Sequence, residues 1–216
     1  MSTTSKIAVI GLGNIGKVVA ANLVKGNRSI ILASRKLEDA QALAQQLGGL
    51  ASAAKTSEAI KQADIVVLSI GFNTIQQFMS EHNSELQGKI IIDPSNPIAP
   101  DENGGFKKII GNNESAGQIN ATALPNGAKL AKALGTLGAE SLSNAAFRQP
   151  EKSVLFYATD DTSINADVEQ LIRDNGFEPV RVGGLDQSIR IEVFGDLHEF
   201  GALGKPVTVA EAQEKV

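Results

Sequence analysis

Lys6-Ile7-Ala8-Val9-Ile10-Gly11-Leu12-Gly13-Asn14-Ile15-Gly16-Lys17 is a strand, a turn and a helix start written in succession. Ile7 to Ile10 is a short apolar run rich in β-branched residues, the composition of a buried strand. Ile15 to Lys25 then reads as a helix. Between them stands GxGxxG, whose three glycines suit a tight turn, close approach of a pyrophosphate, and close packing of helix on strand. A helix that starts there presents unpaired N–H groups and the positive end of its dipole to bound phosphates. The motif alone is weak. Here its required context of strand before and helix after is complete, so Gly11, Leu12, Gly13, Asn14, Ile15 and Gly16 are assigned to a dinucleotide.

Working outward, the same alternation repeats. Ser29 to Ala33 reads as a second strand, and Leu37 to Leu47 as a helix closed by Gly48-Gly49. A weak strand near Leu50 to Ala54 follows, then a short helix that Thr56 or Ser57 could cap. Ile65 to Ile70 and Lys89 to Asp93 are further strands, apolar at nearly every position. Strands apolar on both faces that alternate with helices imply a parallel sheet covered on both sides. The expected fold is α/β, a Rossmann-type doubly wound sheet over residues 1–150, with a small C-terminal α/β extension over 151–216 completing the cleft. Pro94 to Gly127 reads as a long loop punctuated by proline and glycine, with a helix near Ser115 to Leu124. Lys129 to Leu134, Ser153 to Thr159 and Pro179 to Val182 read as strands, and Thr162 to Asn175 as a helix that Gly176 stops. A short terminal helix starts at Val209.

About twenty residues after the glycine motif, a site for NAD wants Asp or Glu on the ribose 2′-hydroxyl. This chain has Ser34-Arg35-Lys36 instead. A hydroxyl and two cations suit a 2′-phosphate, and basic residues at a helix N-terminus oppose the dipole unless an anion joins them. NADP(H) is therefore the expected cofactor. Glu38 and Asp39 are read as dipole partners of the helix. Ser69, Ile70 and Gly71 end the fourth strand, and Asp93-Pro94-Ser95-Asn96-Pro97 ends the fifth. Gly135 to Ala139 ends the sixth, and all three segments fall where the nicotinamide half of a dinucleotide lies. Ser69, Ile70, Gly71 and Asn96 are assigned to it. Asp93 either caps its turn or faces the cofactor. Asp160-Asp161 caps the segment from Thr162, Tyr157 packs, and His82 is solvated at a helix end. His198, in a glycine-bracketed loop, is a candidate general acid, with bridging of loop carbonyls the plainer reading.

The composition narrows the chemistry. Of 216 residues, none is Cys and two are His, which excludes disulfides, thiolate sites and a three-histidine zinc site. The net charge of −4 and the absence of Trp argue against nucleic acid as partner. No run is long and apolar enough for a membrane helix, and Asn14 and Lys17 interrupt what could pass for a leader, so a cytoplasmic protein without membrane contact is expected.

With these motifs in view, the chain resembles the NADP-dependent reductases of coenzyme F-420, a deazaflavin, and the dinucleotide-binding proteins related to them. The resemblance is carried by Gly11 to Lys17, by Ala33-Ser34-Arg35-Lys36, by Lys132-Ala133-Leu134-Gly135-Thr136-Leu137, and by Leu155 to Asp161. It implies a Rossmann core with a small C-terminal portion, a homodimer, and a cleft in which the deazaflavin lies over the nicotinamide. It extends to ferric-reductase domains that pass a hydride from NADPH to a flavin. Where that family shows Phe-Asn-Thr, this chain has Leu134-Gly135-Thr136, and the tail around His198 and Phe200 has no counterpart in the deazaflavin site. The expected function is thus hydride transfer between NADP(H) and a flat ring, F-420 or a flavin, as small-molecule redox substrate. The alternatives are a non-catalytic NADP(H) sensor or a ferric or flavin reductase. A β-hydroxyacid-type reductase needs a large helical domain for which the chain after Gln149 is too short.

Overall fold

Four-residue strands that are apolar at every position need cover on both faces, and the computed structural model, which describes residues 5–216, supplies it. The strands are β1 (Ile7–Ile10), β2 (Ile30–Ala33), β3 (Ala51–Ala53), β4 (Ile65–Leu68), β5 (Ile90–Asp93), β6 (Ile98–Pro100), β7 (Phe106–Lys108), β8 (Lys129–Lys132), β9 (Val154–Ala158) and β10 (Glu178–Gly183). Eight of them form one sheet in the order β10-β9-β8-β5-β4-β1-β2-β3. Neighbours run parallel except β8 and β9, which share a single antiparallel pair, Lys132 opposite Ala158.

The helices are α1 (Asn14–Lys25), α2 (Leu37–Leu47), α3 (Thr56–Gln62), α4 (Phe72–Glu81), α5 (Asn83–Leu86), α6 (Ala116–Ala121), α7 (Ala139–Asn144), α8 (Asn165–Asp174) and α9 (Val209–Gln213). The pleat sends alternate residues to opposite faces. Ile7 and Val9 pack with Val19 and Leu23 of α1 and Ala40 of α2. Ala8 and Ile10 join Ala59 and Ile60 of α3 and Ile75 and Met79 of α4 on the other face. The doubly wound Rossmann-type sheet is as the strand pattern requires. The chain after Gln149 adds β9, α8 and β10 to the same sheet, then runs back over its edge, where Leu197, Leu203, Val207 and Ala212 cover Val154 and Phe156. Two buried amides tie the far parts together: Asn22 Nδ2 donates to Asn175 Oδ1 and to Leu142 O, and Asn175 Nδ2 donates to Val19 O.

Several local expectations change. The segment 94–127 is not structureless: Ile98–Pro100 and Phe106–Lys108 pair as an antiparallel hairpin. Three-residue strands are too short to show a period, and the prolines around them read as loop. Neither Thr56 nor Ser57 caps α3, whose N-cap is Lys55; Ser57 Oγ donates instead to Glu85. The sixth expected strand ends at Lys132 because Leu134 turns left-handed, at φ +65. Residues 162–164 form a 3-10 turn before α8 begins; of the expected pair Asp160-Asp161, Asp161 is the cap, while Asp160 accepts from Leu185 N.

Candidate functional site

Strand order reverses between β1 and β4, and in open α/β sheets the crevice at the carboxyl ends of such strands takes the ligand. The glycine turn lies in that crevice. Gly11 sits at φ +90, donates its N–H to Ala33 O, and a Cβ there would lie 2.3 Å from Ser69 O. A Cβ on Gly16 would lie 2.0 Å from Gly11 O, so α1 packs on the turn only without a side chain. A Cβ on Gly13, between them, would meet nothing within 4 Å, so its backbone faces open space. These are the turn, packing and ligand-approach roles of the three glycines, respectively first, third and second. Gly13 is also the N-cap of α1, with no side-chain cap and no acidic residue in the first turn. The free N–H groups and dipole end of a twelve-residue helix therefore point into the crevice.

From this turn a cleft of roughly 1170 Å³ extends along both sides of β1. Gly11, Leu12, Gly13, Ser34, Arg35, Lys36, Ser69, Ile70 and Gly71 all line it. Asn14 and Ile15 follow in α1, and Gly16 is buried beneath Gly11. Arg35 and Lys36 are exposed, and among the described residues neither makes an ion pair, so two cations stand at the end of β2 with no carboxylate against them. Ser34 Oγ meanwhile donates to Lys36 O at 2.6 Å. Glu38 and Asp39 occupy the first turn of α2, as expected of dipole partners, although Asp39 also borders the cleft. Lys17 contributes a third cation to the lining. His82 corrects an expectation: it is half-buried, its ring 4.6 Å from that of Phe78, and it forms the cleft's far wall with Gln77 and Glu81.

Asn96 sits apart from that cleft, on the β5–β8 side. Its Nδ2 donates to Gly135 O at 3.1 Å and its Oδ1 accepts from Val193 N at 2.7 Å, so the side chain joins three loops. His198 completes the knot. It is 1% exposed, Nδ1 accepts from Phe200 N–H, and Nε2 lies 3.0 Å from Gly135 O, which fixes the proton on Nε2. Burial pushes its pKa down to about 4, so the ring is neutral near pH 7. Both nitrogens are held by backbone, the bridging geometry. Gly135 needs to be glycine, since a Cβ would lie 2.3 Å from Pro94 O.

Beneath this knot lies a pairing that reading along the chain did not disclose. Asp93 and Lys132 face each other across β5 and β8, 0% and 3% exposed, with Nζ 3.1 Å from Oδ2. Lys132 Nζ also donates to Ser95 O at 2.6 Å, Asn120 Nδ2 donates to Asp93 Oδ2, and Asp93 Oδ1 accepts from Ser95 N. Ser95 Oγ and Thr136 Oγ1 are buried beside them without a hydrogen-bond partner among the described residues, around a cavity of about 10 Å³. Glu192, 1% exposed, accepts from Ala116 and Gly117 N–H and from Ser188, and so pins the chain after β10 to α6.

With this geometry in place, comparison with known proteins is direct. Residues 6–97 match the model of the family described as NADP oxidoreductase, coenzyme F420-dependent. The resemblance holds. A hypothetical protein from Sinorhizobium meliloti is 28% identical and superimposes with a TM-score of 0.80 over 94% of this chain and 95% of that one. An Arthrobacter structure, assigned by name as an F420-dependent NADP reductase, superimposes at 0.72 with 22% identity, over 86% and 87% of the two chains. The glutamyl-tRNA reductase of Methanocaldococcus jannaschii is 36% identical over 94 residues, 42% of this chain. The chain spans about a quarter of that relative's length, 24%. Residues 6–97 are thus similar to the family's matched segment, and the fold is shared with these structures. Among the described residues, no helix is long and apolar enough to cross a membrane, and no three His, Asp or Glu side chains cluster as metal ligands.

Proposed function

We propose that the protein is an NADPH-dependent oxidoreductase that passes a hydride between NADP(H) and a flat ring acceptor, coenzyme F-420 or a flavin. One observation carries the reading. The cleft runs from a cationic corner at Ser34-Arg35-Lys36, over the bare Gly13 backbone, to the ends of β4. That is a phosphate site, a pyrophosphate site and a ring site in the order of a 2′-phosphorylated dinucleotide. Arg35 and Lys36 would hold the 2′-phosphate, the N-terminus of α1 the pyrophosphate, and Ser69, Ile70 and Gly71 the sugar and ring beyond it. When bound, the nicotinamide supplies the hydride.

The protein's part is to orient and to exclude water. The titratable groups on the β5–β8 side are already engaged: His198 is neutral and bonded at both nitrogens, and Lys132 and Asp93 are buried against each other. This suits a reaction whose reactive atoms all belong to the two rings. The test is to titrate the protein with NADPH and then follow loss of the nicotinamide absorbance with F-420, FMN and FAD in turn. Turnover with one of them supports the reading and names the acceptor. Tight NADPH binding with no turnover on any of the three would overturn the enzyme and leave an NADP(H) sensor.

A further inference from the structure

The buried Lys132–Asp93 pair lies on the sheet's carboxyl edge, on the side away from the cationic corner. From β4 the sheet continues through β5 to β8, and strands are about 4.8 Å apart. The pair therefore sits within two strand spacings of Ser69, under the loops that follow β5 and β8, next along the carboxyl edge from the cleft. A buried ion pair is weak evidence of stabilisation, because desolvation offsets much of the attraction. Its hydrogen bonds show what it does hold. Lys132 Nζ grips Ser95 O, Asp93 grips Ser95 N, and the Pro94 backbone just before them rests on Gly135. Two loops are thus locked in one relative position by a lysine on β8, the strand that runs into the second of them. Gly117 of α6 leaves room for that reach, since a Cβ there would lie 2.8 Å from Lys132 Cγ.

We propose that Lys132 is a positioning residue for the nicotinamide end of the bound dinucleotide: with Asp93 it sets the wall formed by residues 94–96 and 133–136. This rests on the NADP(H) reading above. The 2′-phosphate corner, on the other side of β1, is independent of it.

The difficulty is to separate positioning from folding, and the chemistry of the pair offers a way. Lys132→Met alone strands a buried carboxylate and should lower Tm by roughly 10 °C. Lys132→Met with Asp93→Asn removes both charges. Asn120 Oδ1 has no hydrogen-bond partner among the described residues, so its amide can flip to accept from the amide introduced at position 93. The oxygen of that introduced amide can still accept from Ser95 N, as Asp93 Oδ1 does. The double variant should therefore recover most of the lost Tm. Its affinity for adenosine 2′,5′-bisphosphate, which carries only the cationic-corner half, should stay within about twofold of the wild type. Its affinity for NADPH should fall about tenfold, with a matching change in the fluorescence of the bound nicotinamide. Recovery of Tm with wild-type NADPH affinity would overturn the proposal and leave Lys132 a structural residue. Should the double variant not fold, Gly117→Ala presses a methyl on the Lys132 stem and on Ser188 Oγ without removing a charge, Ser188→Ala controls for the second contact, and the ratio of affinities read against that control decides. A wild-type protein that binds neither ligand would sink the NADP(H) reading instead.

Discussion

Around Gly13 the backbone is bare and the nearby cations are exposed; around Gly135 the polar groups are buried and every loop is tied to another. Both regions lie on the carboxyl edge of one sheet. The first has its recognition groups facing outward, so a ligand with negative charge completes it. The second is tied together by the chain's own groups, and presents a surface whose shape is fixed from beneath. The contrast teaches where precision comes from in this fold. Phosphates tolerate a flexible cationic corner, because charge attracts over several ångströms. A ring that must meet another ring in contact needs a rigid wall.

The largest effect expected is at Gly16. A side chain there meets the Gly11 carbonyl, which is backbone and cannot move aside. Gly16→Val should cost about 3 kcal/mol or more of stability and abolish NADPH binding. Thermal unfolding checks the first part and a binding titration the second. A variant as stable as wild type would break the claim that this glycine serves packing.

Next in size is a pH effect confined to the rigid region. His198 is held down to about 4 from an ordinary 6.5, so the unfolded chain takes up a proton over that interval before the native protein does. Stability is then fully present above 6.5 and is lost as pH falls toward 4, by about 3 kcal/mol in all. The measurement is the difference in unfolding free energy between wild type and His198→Gln across that window, which cancels the carboxylates common to both. Parallel curves would refute the buried, neutral histidine.

The two regions also differ in how far the residues alone disclose them. The glycine turn is legible because its physics is local: strand, turn and helix are adjacent in the chain, and the motif's spacing is itself the geometry. Ser34-Arg35-Lys36 is legible for the same reason. The wall is not. Asp93 reads as a strand-ending aspartate and Lys132 as one more lysine on a strand, and only the β5–β8 register sets them face to face. Asn96 could be assigned to the cleft from its place after β5, but its bonds to Gly135 and Val193 depend on where the C-terminal chain returns. The hairpin at 98–108 is hidden by its own prolines and glycines. A lysine on a strand carries the same pattern whether its amine reaches water or a buried aspartate, which is why a buried charge is invisible to periodicity.

On the open side the effects should be smaller and specific to the ligand. Arg35 carries no ion pair among the described residues, so removing it breaks none in the free protein. Arg35→Ala should leave Tm unchanged and weaken NADPH by roughly 10- to 100-fold, the worth of a charge-assisted hydrogen bond. NADH, which lacks the 2′-phosphate, should lose less than about threefold. Equal losses for the two nucleotides would remove the 2′-phosphate from this corner.

The smallest effect on the fold, and the sharpest use of the contrast, is at Gly13. Its φ of −74 is open to any residue and its missing side chain meets nothing. Gly13→Ala should therefore change stability by no more than about 1 kcal/mol, because alanine has less freedom to lose on folding while glycine is the better N-cap, and the two effects oppose each other. The methyl nevertheless stands where a pyrophosphate must approach the backbone. NADPH and adenosine 2′,5′-bisphosphate should then part company in a fold intact to Tm, unlike that of Gly16→Val. The dinucleotide should weaken about tenfold and the bisphosphate, which has no pyrophosphate, much less. Unchanged NADPH affinity would mean that the gap above Gly13 is not where the dinucleotide crosses the sheet. Three glycines in six residues would then share a motif without sharing the function that spaces them.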